Sequence, residues 1–138
     1  MEVDTDWSQV IPYAHSKGVG AAIYSPLAGG LLTDSALMGG APHPLSGAAQ
    51  RGGGRMSDQR QRQVDKAARL RFLSEGQEQS LAQAAVRFIL MQPGVTTVLG
   101  GFSDTEQLEE VADASGKGPL TGEQMARVQK VWQTNFSA

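Results

Sequence analysis

Residues 80–110 read SLAQAAVRFILMQPGVTTVLGGFSDTEQLEE, and most of the fold question is decided inside them. Ser80 followed by Gln83 has the pattern of a capping box: the hydroxyl accepts from the third backbone N–H and the amide reaches back to the cap. Leu81, Ala84, Ala85, Phe88 and Ile89 then recur at helical spacing, and Pro93-Gly94 stop the helix. Val95 to Leu99 (VTTVL) is a β-branched run closed by Gly100-Gly101, which predicts a short strand. Ser103-Asp104-Thr105-Glu106 reads as a second capping box, with Ser103 as the cap and Leu108, Val111 and Ala112 on one face of the helix it opens. Helix, strand, glycine turn and helix in that order are the alternation of an α/β protein.

The same grammar extends outward. Residues 18–33, GVGAAIYSPLAGGLLT, hold a second apolar run, Val19 to Tyr24, ended by Ser25-Pro26. Both runs are apolar nearly throughout, which predicts parallel strands covered on both faces. A short helix is predicted around Val10, Ile11, Tyr13 and Ala14, with Pro12 tolerated in its first turn. Another is predicted from Ser57 to Glu75, stopped by Gly76. A third capping box, Thr121 to Gln124, opens a helix with Met125, Val128, Val131 and Trp132 at helical spacing. Ten of the seventeen glycines fall between Gly18 and Gly54, and residues 34–56 are expected to form a flexible loop. No internal repeat is visible. The whole chain, 1–138, reads as a single incomplete domain, because two parallel strands do not close a sheet around a core, whereas a (β/α)8 barrel needs eight.

Composition narrows the function. The formal net charge is -2 and 40% of the residues are hydrophobic, so the chain presents no overall basic field for nucleic acid or anionic membrane. The seven Lys and Arg between Arg51 and Arg71 lack interleaved aromatics and read as a solvated helix face plus loop. With no cysteine there is no disulfide and no Cys-based zinc site, and no metal-ligand motif occurs. No apolar run reaches the length of a membrane span, and the acidic start, MEVDTDWSQV, is unlike a signal peptide, so a cytoplasmic location is expected.

Each predicted strand is followed by a glycine turn: Tyr24-Ser25-Pro26-Leu27-Ala28-Gly29-Gly30 after the first, and Leu99-Gly100-Gly101-Phe102-Ser103-Asp104 after the second. Ligands of α/β folds bind at the carboxyl edge of the strands. Glycine lets backbone approach a ligand, and a helix start just beyond attracts phosphate. Two such turns on neighbouring strands suit the two phosphates of a dinucleotide. The plainer reading is that both are ordinary strand-to-helix connections.

These two stretches, with the LAQAAVRFIL helix between them, resemble the C-terminal part of the aldo-keto reductases, over about Val10 to Trp132. The resemblance implies a partial (β/α)8 TIM barrel: roughly the last two βα units plus extra C-terminal helices. It implies NADP or NAD as cofactor, and carbonyl reduction or alcohol oxidation by hydride transfer. Tyr24 matches the aromatic residue that stacks on the nicotinamide. Ser25, Leu27 and Gly29 match the loop over the pyrophosphate. Gly101, Phe102 and Ser103 match the turn beside the adenosine phosphate; Gln107 matches a position near the adenine and Glu110 an acid there.

The chain also departs from the family pattern. The turn Gly101-Phe102-Ser103 lacks the cation that often pairs with the 2′-phosphate of NADPH, and Val111 stands where an Asn often contacts adenine. The family's Tyr, Lys, Asp and His catalytic set comes from the first half of the barrel. Tyr13, Lys17, Lys66, Lys117, Lys130, His15 and His43 have no matching context, so no catalytic residue is assigned. A small carbonyl or alcohol substrate is therefore expected only if the barrel is completed. The other reading is a non-catalytic nucleotide-binding or interaction module. Self-association through open strand edges is expected of the isolated chain.

Overall fold

A computed structural model of the chain describes residues 7–39 and 58–136. The elements run α1 (Trp7–Ser16), β1 (Ala21–Tyr24), α2 (Asp34–Leu37), α3 (Asp58–Ala68), a 3-10 turn (Arg71–Leu73), α4 (Leu81–Leu90), β2 (Val95–Leu99), α5 (Thr105–Asp113), a second 3-10 turn (Ala114–Gly116) and α6 (Gly122–Gln133). Among the described residues the sheet has two strands. They are parallel, with Ala21 opposite Val95 and Tyr24 opposite Leu99, and the register slips between Ala21 and Ala22. Thr96 sits at that slip, and its hydroxyl donates to the Ala21 carbonyl at 3.1 Å.

Helix α4 organises the packing. Ser80 and Gln83 close their capping box, with Gln83 N–H donating to Ser80 Oγ at 3.1 Å and Ser80 N–H to Gln83 Oε1 at 3.2 Å. One side of α4 meets Leu73 and Leu120 through Leu81 and Ala84, with Leu70, Phe88, Met125 and Val128 around them. The other side meets Val111 and Ala114 through Ala82 and Val86, with Leu27, Val98 and Phe102 closing that cluster. The alanines let α4 lie close to its neighbours: Ala84 is 0% exposed and Leu81 1%. Burying a leucine completely contributes about 1.5–3 kcal/mol.

Local chemistry explains several differences from the sequence reading. Pro12 is the sixth residue of α1, not part of its first turn. The helix continues past it because tertiary contacts hold α1: Ile11 is buried, and a β-carbon on Gly94 would come within 2.8 Å of His15 Cβ and 3.2 Å of Ile11 Cγ2. The cost is one backbone hydrogen bond that Pro12 has no N–H to make. The first strand starts at Ala21 rather than Val19. The helix predicted from Ser57 to Glu75 is instead α3 followed by a 3-10 turn, a break that buries Leu73 and stacks Phe72 under the Arg127 guanidinium at 3.9 Å. Gly76 has φ +70°, the left-handed conformation expected of it.

The loop expected over 34–56 also begins later. Thr33 caps α2, its hydroxyl accepting from Ala36 N–H at 3.2 Å, so Asp34–Leu37 is a helical turn. The rest of that stretch, from 40 onward, lies outside the described residues, as does His43. The largest difference concerns cover. The apolar runs predict strands covered on both faces; the helices cover one, and the other leaves Ala22, Tyr24, Thr97 and Leu99 exposed.

Candidate functional site

Tyr24 and Leu99 are paired residues, so the two strands reach their carboxyl edge together and their turns leave side by side. The first turn is tightly wound. Ser25, Ala28, Gly29 and Gly30 all have positive φ (54°, 50°, 68° and 85°). Ala28 N–H donates to the Ser25 carbonyl at 3.1 Å, and the Leu27 carbonyl accepts from Gly30 N–H at 2.9 Å and Leu32 N–H at 3.2 Å. Left-handed backbone at a residue other than glycine costs about 1–2 kcal/mol, so Ser25 and Ala28 concentrate strain directly after β1, where binding sites often hold it.

The second turn is shaped by an aromatic ring. Phe102 folds back over Gly100 so closely that a β-carbon there would collide with the ring's Cζ. Phe102 and Leu27 pack against the same buried cluster, which ties the two turns to a common floor. A β-carbon built on Gly29 or on Gly101 would meet nothing within 4 Å, so the space in front of both is open.

The capping of α5 differs from the sequence reading. Asp104, not Ser103, is the cap: its Oδ1 accepts from Gln107 N–H at 2.9 Å. Gln107 returns the contact twice, accepting from Ser103 N–H at 3.1 Å and donating from Nε2 to Asp104 Oδ2 at 2.8 Å. Ser and Asp are both good caps, and each has a suitable partner three residues on, Glu106 or Gln107. The amide is favoured because it donates to the cap's carboxylate and accepts from backbone at once, which a carboxylate at 106 cannot do.

The nine residues singled out from sequence therefore divide by environment. Tyr24, Ser25, Gly29, Gly101 and Ser103 are exposed at the carboxyl edge, Tyr24 by 79%. Leu27 and Phe102 are turned into the core cluster. Gln107 is engaged in the cap. Glu110 lies one turn further along α5, and its backbone carbonyl accepts from Gln83 Nε2 at 2.8 Å. Val111 is buried in the core. Two residues with structural consequence here were not singled out. Gln83, read as a cap partner alone, also bridges to α5 through Glu110 and through Asp113 Oδ2 at 3.2 Å. Asp34, placed in the loop, bonds Ser74 and Leu81. Gln83 had a signal in its place on the buried side of α4; Asp34 had none, because its partners lie 40 and 47 residues away.

The remaining candidates lie elsewhere. Tyr13 is exposed on α1 with the Lys17 ammonium 5.5 Å from its ring centre, and α1 leads into the amino edge of β1, opposite the turns. Two cations of the basic stretch make contacts within the chain: Lys66 lies over Phe136 at 5.9 Å, and Arg71 donates to the Leu37 carbonyl at 3.4 Å. No helix among the described residues is long and apolar enough to cross a membrane.

Parallel strands linked by helices, with paired turns at one edge, are βα units of the kind that a (β/α)8 barrel repeats. The model of the aldo/keto reductase family matches residues 4–133, and the chain belongs to that family. It is 33% identical over 128 residues to an L-glyceraldehyde 3-phosphate reductase of Escherichia coli O157:H7 and 32% identical to that of strain K12, with 89% of this chain and 36% of each relative covered. An aldo-keto reductase from Bacillus halodurans, solved in apo and holo forms, superposes with a TM-score of 0.60 at 26% identity; 93–94% of this chain matches 39% of that one. The chain thus spans well under half the length of these relatives.

Proposed function

We propose that the chain forms the dinucleotide-gripping wall of an NAD(P)(H)-dependent aldo-keto reductase. The observation that carries this reading is the pair of glycine turns held side by side at the carboxyl edge of two parallel strands. The residues present fit such a group. Tyr24 offers an exposed aromatic face at a strand end, and the approaches to Gly29 and Gly101 are open. On this reading the Tyr24 ring stacks on the nicotinamide, and Ser25, Leu27 and Gly29 cover the pyrophosphate. Gly101 and Phe102 contribute backbone beside the adenosine and Ser103 lies next to its phosphate, with Gln107 and Glu110 toward the adenine. Leu27 and Phe102 act from below, by fixing the turns.

The cofactor, NADP or NAD, supplies a hydride; this chain's part is to bind it and fix which ring face it presents. Among the described residues, Tyr13 and His15 on α1 and Lys17 just beyond it lie away from the turns, and no proton-handling role is assigned to them. With the barrel completed, the substrate is a small carbonyl compound or alcohol; the names of the Escherichia coli relatives favour a small aldehyde. A cytoplasmic location fits such chemistry. Titration of the purified chain with NADPH and with NADH, followed by nicotinamide fluorescence, tests the reading. Saturable binding without carbonyl reduction supports it; no binding of either at millimolar concentration overturns it.

A second reading, a non-catalytic interaction module, is favoured by the uncovered sheet face at Tyr24 and Leu99 and by the short two-stranded sheet. It predicts self-association, which sedimentation velocity at rising concentration detects.

A further inference from the structure

The first turn continues through hydrogen bonds into a single side chain. Thr33 Oγ1 donates to the Gly30 carbonyl at 3.0 Å and accepts from Ala36 N–H at 3.2 Å, joining the end of the turn to α2. The next residue, Asp34, is half-buried and bridges two distant segments. Its Oδ1 accepts from the Ser74 hydroxyl at 2.6 Å, and its Oδ2 accepts from Leu81 N–H at 2.9 Å. Leu81 is the first residue of α4, whose opening N–H groups have no partner inside the helix and lie at its positive end. A carboxylate accepting a backbone N–H there is a charge-assisted bond, stronger than a neutral one. Leu81 itself is among the most deeply buried side chains, so Asp34 is fastened to the buried core.

We propose that Asp34 is a positioning residue that holds the strained Ser25–Thr33 turn at a fixed height over the carboxyl edge, and thereby sets dinucleotide affinity. This rests on the reading of that turn as the pyrophosphate cover. Ser25 and Ala28, the two non-glycine residues of the turn at positive φ, store strain that relaxes if the far end of the turn is released. The near end is fixed by β1 and by Leu27 in the core, and the far end by Asp34.

The test uses the full chain and three variants, read by amide hydrogen exchange and by NADPH and NADH titration. Asp34→Ala removes both bonds. It is expected to speed exchange at Gly30 and Leu32, whose N–H groups close the turn on Leu27, by about tenfold, and to weaken dinucleotide binding by a comparable factor, as for loss of one charge-assisted bond. Protection at Ala84 and Val111 changes by less than that. Asp34→Asn keeps an oxygen for Leu81 N–H and gains an N–H for Ser74 but makes the Leu81 bond a neutral one, so it is expected to recover part of both readouts, to within about threefold. Ser74→Ala removes one bond and leaves the fold's tie to Leu81; an intermediate effect at Gly30 and Leu32 is expected, which keeps the question answerable if Asp34→Ala fails to fold. Unchanged protection of the turn in Asp34→Ala, or equal acceleration at the turn and in the core, overturns the proposal. A wild-type chain that binds neither dinucleotide overturns the functional reading instead, while selective loss of protection at Gly30 and Leu32 still sustains the tether.

Discussion

The two sides of the small sheet are built from similar residues and treated in opposite ways. On the helix side, α4 lies between two apolar clusters, and even its one buried polar side chain, Gln83 at 8% exposure, is bonded through both amide atoms, its oxygen to Ser80 N–H and its nitrogen to the Glu110 carbonyl and Asp113 carboxylate. On the other side Tyr24 and Leu99 stand 79% and 57% exposed. Apolar pattern alone does not distinguish these faces; what distinguishes them is whether the chain has an element able to reach them. The helices that follow each strand return along one side, so stability gathers there, and the opposite face and its carboxyl edge are left for other groups to cover. Family membership gives that asymmetry its meaning, because the relatives are more than twice as long as the part matched here.

The contrast breaks most readily at Leu81. Leu81→Ala is expected to destabilise the chain by about 2–5 kcal/mol, seen as a fall in the urea midpoint, because the side chain is fully enclosed between Leu73, Ala84 and Leu120. A loss below about 1 kcal/mol would mean that the helix side is not the main source of stability. Gln83→Ala comes next. It strips the amide that links the α4 cap to Glu110 and Asp113, and a cost of about 1–3 kcal/mol is expected from the groups left unpaired. The same variant should loosen α5, so exchange at Val111 should rise more than at Met125.

The legible parts of the molecule were those with local punctuation. β2 is bounded by glycine on both sides and was placed to the residue; the cap pairs Ser80–Gln83 and Thr121–Gln124 bind as their spacing implies. Parallel pairing of the two apolar runs and the partial barrel were legible because βα alternation and the family resemblance agree. What was not legible depended on distant partners. Pro12 sits mid-helix because Ile11 packs at Gly94, and α3 ends early because Phe72 and Leu73 have places to fill. The choice of Asp104 over Ser103 turned on a second hydrogen bond from one amide, and Asp34 found its partners across the chain. At the candidate site the adjacency of the two turns was legible; which of their side chains face inward was not, since Leu27 and Phe102 are as apolar as residues expected to touch a ligand.

Two smaller effects sharpen the exposed side. Tyr24→Ala is expected to leave the urea midpoint almost unchanged, because the ring is mostly in water, while weakening nicotinamide binding by about 2- to 10-fold, the value of one aromatic stack. Equal losses in stability and binding would make the ring a packing residue. The smallest expected effect is a gain. The Gly101-Phe102-Ser103 turn has no cation to meet a 2′-phosphate, so NADPH and NADH should bind with similar affinity. Gly101 has room for a side chain, since its β-carbon would meet nothing within 4 Å and its φ is not in the left-handed region. Gly101→Lys should therefore fold normally and shift preference toward NADPH by about 2- to 5-fold at low salt, as an exposed charge pair allows, with the gain fading as salt screens it. The ratio of the two dissociation constants at low and high salt reads this directly. A ratio that does not move places the adenosine phosphate somewhere other than this turn, and the open side of the sheet would then need a different occupant.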